Sequence, residues 1–231
     1  SNSRVPDQGA ELNRRTTRIS AQNRITTATN HDIVLNRRTA RGHTMTRAGI
    51  EPGDSAPHFQ LPNANSAAGA SSMALADIMQ ESGAIVLFTC NHCPYVIAIA
   101  ERLSFEAKEL KKSEINTIAI MSNDANQYPE DSFENMALFA KKYAFDFPYL
   151  HDESQQIARK YGAVCTPDIF GFNRNLILQY RGRLDSGVMN SKDKKIKREL
   201  FEAMNKIKFD GNGPLEQFNS FGCSIKWKEN E

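Results

Sequence analysis

Cys90 and Cys93 are separated by Asn91 and His92 in the stretch Ala84–Ile97, AIVLFTCNHCPYVI. Two thiols at this spacing can exchange disulfides. A thiol attacks as its thiolate, and at an unperturbed pKa of about 8.5 only a few per cent ionises at neutral pH. The first turn of a helix, with its free N–H groups and partial positive charge, stabilises the anion. A second cysteine three positions on can then attack the mixed disulfide and release the substrate. Cys90, at the expected helix entrance, is the predicted attacker, and Cys93 the resolver. His92 would favour the thiolate if protonated, or stand merely solvated. Pro94 suits a first helical turn, where its missing N–H is no loss. Two plainer readings are incidental core thiols and half of a zinc site. The other cysteines, Cys165 and Cys223, are scattered rather than paired, so no metal is expected.

A second constellation is Cys165-Thr166-Pro167-Asp168. Pro167 could simply open a strand. It could also be a cis-proline whose loop lies against the dithiol and offers backbone to a substrate, with Cys165 and Thr166 close by. Cys223, near Trp227 in the tail, is either a third redox thiol or a small buried residue.

These residues need elements to hold them. Ala84–Phe88 is apolar and partly β-branched, which predicts a buried strand ending just before Cys90. Val96, Ala100, Leu103, Ala107 and Leu110 recur at helical spacing, predicting a helix from about Cys93 to Lys112. Upstream, Pro57–Pro62 reads as an edge strand and Met73–Gln80 as a short helix. Downstream come a strand at Ile115–Met121, a helix capped by Asp131 with Glu134, a strand at Phe147–Leu150 and a helix at Ser154–Tyr161 stopped by Gly162. A hairpin at Pro167–Phe172 and Leu176–Arg183 follows, then a basic amphipathic helix at Lys192–Lys208 and an irregular tail. Strands alternating with helices imply parallel pairing with right-handed crossovers. The expected fold class is α/β, a central mixed β-sheet flanked by helices.

Composition bounds the rest. The chain has 231 residues and a formal net charge of +2, which gives no argument for nucleic acid as partner. No window of 18 uninterrupted apolar residues predicts a membrane span, and four cysteines are too few for a disulfide scaffold. Residues 1–47 hold nine Arg and no Lys, while residues 48–231 hold six Arg and fourteen Lys. The first segment lacks apolar periodicity and is expected to be disordered. It reads either as a non-native extension, with Met45 near the start, or as an organelle transit peptide. The folded domain is expected over 48–231.

FTCNHCPYV, YGAVCTPDIFGFN, YRGRLD and GCSIKWK together resemble the peroxiredoxin-like branch of the thioredoxin-fold proteins, in the alkyl hydroperoxide reductase/thiol-specific antioxidant superfamily and in a Cys-x-x-Cys, redoxin-type subgroup. The resemblance covers roughly Gly49 to Lys228. It implies a thioredoxin fold and an oxidoreductase that needs no cofactor. Matched to thioredoxins, Cys90 is the nucleophile, Cys93 the resolver and Pro167 the cis-proline, which implies thiol–disulfide exchange. Matched to peroxiredoxins, Cys93 before Pro94 is the peroxidatic cysteine, which implies a thiol peroxidase. There the pattern departs. Cys90 stands where that family has Thr or Ser, Val86 where it has Pro, and no Arg lies between Lys160 and Phe172. A third alternative is a metal-binding module like the thioredoxin-fold copper chaperones, with His151 as a distant ligand. The implied partners are a protein or small-molecule disulfide, or a peroxide, and a reductant such as thioredoxin or glutathione. No nucleic acid or membrane partner is implied. The default compartment is the cytoplasm, where the pair rests mostly reduced.

Overall fold

The structure is a computed structural model and describes residues 49–189 and 195–229. The expectations for residues 1–47 lie outside these. Strand β1 (Gln60–Pro62) pairs antiparallel with β2 (Ser72–Ala74). Five further strands form the central sheet: β3 (Ala84–Phe88), β4 (Asn116–Met121), β5 (Tyr149–His151), β7 (Asp168–Phe172) and β8 (Leu178–Gly182), in the order β5-β4-β3-β7-β8. β3 runs parallel to β4 and antiparallel to β7, so the sheet is mixed.

All five residues of β3 are buried because both faces of the sheet are covered. The strand period sorts them. Ile85 and Leu87 join the core under α1 (Pro94–Lys111), α2 (Phe133–Lys142) and α4 (Glu199–Asp210). Ala84, Val86 and Phe88 join the opposite core, with Phe59, Leu75 and Tyr161. Tyr161 closes α3 (Gln156–Tyr161), which Gly162 stops in a left-handed conformation. Cys90 and Cys93 belong to the α1 side.

Four expected elements differ. Met73–Gln80 is not an α-helix. Its start pairs as β2, and Leu75–Ile78 makes one 3-10 turn closed by Ala74 N–H donating to Asp77 Oδ2 at 2.7 Å. A segment this short gains too few helical bonds to offset nucleation. Asp131 does not cap α2. Ser132 does, its Oγ accepting from Asn135 N at 3.3 Å, while Asp131 is buried one position earlier. The basic helix begins at Glu199 rather than Lys192. Lys197 N–H donates to Ser186 Oγ at 2.8 Å, tying that stretch to the exit of β8, and residues 190–194 lie outside the described residues. The tail is not irregular throughout, because β9 (Cys223–Ser224) pairs antiparallel with β6 (Cys165–Thr166). Among the described residues no helix is long and apolar enough to cross a membrane.

Leu103 lies in the middle of the buried face of α1 and is 2 % exposed. Leu103→Ala is expected to lower unfolding stability by about 2–5 kcal/mol, read from denaturant midpoints at unchanged slope.

Candidate active site

β3 carries the chain to the end of the sheet, where Thr89 N–H still donates to Ile120 O at 2.9 Å. The chain then turns through Cys90, Asn91 and His92. Asn91 fixes the turn: its N–H donates to Asp131 Oδ1 at 2.7 Å, its Nδ2 to Glu130 O at 2.9 Å, and its Oδ1 accepts from Tyr149 OH at 3.0 Å. Helix α1 starts at Pro94, with Cys93 as its N-cap residue and Ile97 N–H bonding back to Cys93 O.

The Thr166–Pro167 peptide bond is cis. Its loop lies on both sulfurs. Cys90 Sγ is 3.2 Å from Thr166 Oγ1, and Cys93 Sγ is 3.2 Å from Thr166 O. Each thiol also shifts the ionisation of the other. Both are buried, at 1 % and 0 % exposure, so Thr166 and its neighbours form a cover over the pair. Cys165 is brought near but turned aside. It is fully buried, and its Sγ donates to Pro167 O at 3.7 Å. Burial, with the charge of Asp168 adding to it, pushes its thiol up.

Cys223 is brought in by the tail. It pairs with Thr166 across β6 and β9, and its side chain packs against the core that holds the dithiol. Gly222 makes that approach possible. A Cβ on it would sit 2.0 Å from Thr166 O and 3.1 Å from Pro167 Cδ.

The order of ionisation is the reverse of the sequence expectation. Cys93 is held well below the ordinary thiol range, chiefly by the Cys90 S–H donor. The Cys223 thiol and the amides of Val96 and Cys223 add to this, against the cost of burial. Cys90 is pushed well up by its bond to Cys93, then by burial, then by the negative charge of Asp131. The helix start adds a smaller contribution. The helix starts at Pro94, so Cys93, not Cys90, lies against its first turn. A helix end stabilises a nearby anion by about 0.3–1 kcal/mol, less than the roughly 1.4 kcal/mol of one pKa unit. The thiol donors therefore supply the larger share. The Thr166 carbonyl, which accepts from the protonated Cys93, partly opposes them.

Asp131 is the site residue that sequence reasoning misplaced. It is fully buried and accepts from Asn91 N–H and, at 2.7 Å, from Asn123 Nδ2. His92 Nδ1 stands 2.9 Å from its Oδ2, off the line of a well-formed hydrogen bond. The His92 ring stacks on Tyr128 with centroids 5.4 Å apart. The Asp131 carboxylate raises the His92 pKa, against a smaller opposing effect of burial. Its position just before a cap serine was the available signal, since an acid there reads equally as a cap.

One metal-compatible group occurs among the described residues: Cys90, His92 and Asp131, with ligand atoms within 4.8 Å of one another. Both oxygens of Asp131 already accept hydrogen bonds. His151, the expected distant ligand, is outside this group and packs by Phe133.

A mixed sheet with helices on both faces and two buried thiols under a cis-proline loop defines a thioredoxin-like redox protein. The sequence profile of the AhpC/TSA family matches residues 52–183, and the chain belongs to that family. An uncharacterized conserved protein from Geobacillus kaustophilus is 37% identical, with 78% of this chain and 94% of that chain covered and a TM-score of 0.72. A hypothetical protein from Sinorhizobium meliloti 1021 is 34% identical, with 79% and 97% covered and a TM-score of 0.71. The thioredoxin domain of a thiol-disulfide oxidoreductase from Bacteroides vulgatus is similar in fold at 12% identity, with 62% and 96% covered and a TM-score of 0.50. No curated protein matches the chain.

His92 is expected to titrate above the usual value of about 6.5, and Asp131→Asn to bring it down, as read from imidazole NMR shifts. The sign follows from the raised folded-state pKa. Stability from the His92–Asp131 pair is complete below the unfolded-state pKa and fades as pH rises through the folded one. A His92 titration indifferent to Asp131→Asn would contradict this assignment.

Proposed function

We propose that the protein is a thiol–disulfide oxidoreductase in which Cys93 attacks and Cys90 resolves. The supporting observation is the placement of both sulfurs under the Thr166–Pro167 loop with Cys93 at the start of α1, and the Cys93 thiol is pulled down while that of Cys90 is pushed up. The Cys93 thiolate attacks one sulfur of a substrate disulfide. A Cys93–substrate bond forms, and the first substrate thiolate leaves and takes up a proton. Cys90 then attacks the Cys93 sulfur. Its proton passes to the second departing thiolate, and a Cys90–Cys93 disulfide remains. The substrate gains two electrons and two protons, and a thioredoxin- or glutathione-class reductant restores the dithiol. Cys93 has no exposed surface, so entry of substrate requires the Thr166 and Cys223 cover to move.

A peroxidase reading uses the same nucleophile, and Cys93 before Pro94 favours it. The thiolate would take oxygen from a hydroperoxide, giving a sulfenic acid and releasing an alcohol or water, and Cys90 would condense with it and release water. Disulfide exchange fits the arginines better. Arg181 is bonded to Asp168, Gly162 O and Ile50 O. Arg183 is engaged by Glu199, and Arg102 by Asp185.

Cys93→Ser is expected to abolish turnover of hydroxyethyl disulfide, and retained turnover would refute the assignment. Cys90→Ala removes the main donor to the anion, so the Cys93 pKa should rise. Its reactivity at neutral pH should then fall by about tenfold for each unit gained. A pH profile of Cys93 alkylation measures this. Sulfenic acid at Cys93 after hydrogen peroxide, with slow disulfide turnover, would favour the peroxidase reading.

A further inference from the structure

Of the four cysteines, Cys90, Cys93 and Cys165 are buried, and Cys223 is only partly buried. Cys223 nevertheless packs against the same core as the dithiol. Its backbone is set in register opposite Thr166, the residue that lies on both sulfurs, and its thiol and amide help to pull the Cys93 thiol down. Several independent contacts hold it there. Ile225 N–H donates to Val164 O at 3.0 Å, and the Ile225 side chain is buried in the core. Lys226 N–H donates to Asn123 Oδ1 at 2.9 Å, and Asn123 also holds Asp131. Gln155 Nε2 donates to Lys226 O at 2.8 Å, and Lys228 N–H donates to Gln155 Oε1 at 2.9 Å. On the other side Ser220 Oγ donates to Asp168 Oδ1 at 2.7 Å, so the tail is fastened both before and after Cys223.

We propose that Cys223 is a third redox thiol of the site, forming a disulfide with Cys93 and serving as its outward-facing end. The proposal rests on the exchange reading above. Once a substrate half is bound to Cys93, the Cys223 sulfur attacks Cys93. The Cys93–Cys223 bond forms, the substrate thiolate leaves, and the Cys223 proton goes to that thiolate. The two electrons that reduce the substrate come from Cys93 and Cys223. Regeneration follows from exposure and leaving-group order. A thiolate of an external reductant attacks the sulfur of Cys223, the less buried residue of the pair, and Cys93 departs as the better-stabilised anion. A second reductant thiol then releases Cys223. Attack by Cys90 on Cys93 in the Cys93–Cys223 disulfide instead moves the bond inward to Cys90–Cys93, freeing Cys223 with no net redox change. The three sulfurs form a relay with one open end.

The test uses the full chain, its Cys90→Ser and Cys90→Ala variants and the Cys90→Ser/Cys223→Ser double variant. Each is treated with one equivalent of hydroxyethyl disulfide, quenched in acid, alkylated, digested without reductant and mapped by mass spectrometry. The Cys90 variants are expected to lose both remaining site thiols and yield a peptide cross-linked through Cys93 and Cys223. The double variant is expected to stop at a persistent mixed disulfide on Cys93. A persistent mixed disulfide on Cys93 in the Cys90 variants, with Cys223 still open to alkylation, overturns this inference and leaves the exchange reading standing. An unreacted Cys93 throughout overturns both. Should neither Cys90 variant fold, the wild-type protein decides with substoichiometric oxidant. A Cys93–Cys223 peptide supports the relay, and a Cys223→Ser protein that an external reductant restores as fast as the wild type refutes it.

Discussion

Two buried thiols held under one proline loop organise this molecule. The Cys93 thiol is pulled down and the Cys90 thiol pushed up, so the two are no longer equivalent. The asymmetry comes from three surroundings. The helix begins beside Cys93, the Asp131 charge faces Cys90, and the Thr166 backbone and hydroxyl span both. Low local dielectric strengthens each of these contacts, which is why sealing the pair from solvent and splitting its pKa values go together.

The rest of the fold holds that geometry. β3 is central and covered on both faces, which fixes where Cys90 leaves the sheet. Asp131 receives hydrogen bonds from the Cys90–Cys93 turn through Asn91 and from the β4 exit through Asn123. Asn123 in turn accepts from Lys226 of the tail. The carboxylate that biases Cys90 and the segment just past Cys223 are thus linked by two hydrogen bonds through Asn123.

Much of this was legible in the sequence, and the lost parts share a cause. β3, α1 and β4 announce themselves through apolar runs and helical spacing, both local signals. The dithiol and the Thr166-Pro167 loop were visible as residue types in order. The ionisation order was not, because it depends on how the Cys90, Cys93 and distant Cys223 thiols act on one another, which no local spacing carries. Asp131 was misplaced because an acid next to Ser132 satisfies the local pattern of a cap, while its real partners, Asn91 and His92, lie some forty positions earlier. The tail read as irregular because β9 is two residues long, and its pairing with Cys165–Thr166 spans more than fifty positions. Gly222 and Cys223 gain their meaning from that distant contact, which no local periodicity carries.

The tail also carries the chain's single tryptophan, Trp227, with the Arg159 guanidinium 4.3 Å above its ring. Indole emission is sensitive to a neighbouring cation and to solvent. The protein therefore contains an intrinsic fluorophore four residues from Cys223, on a different element from the dithiol. Light that excites tryptophan alone reads the seating of that strand, so stopped-flow fluorescence can time its movement without any attached dye.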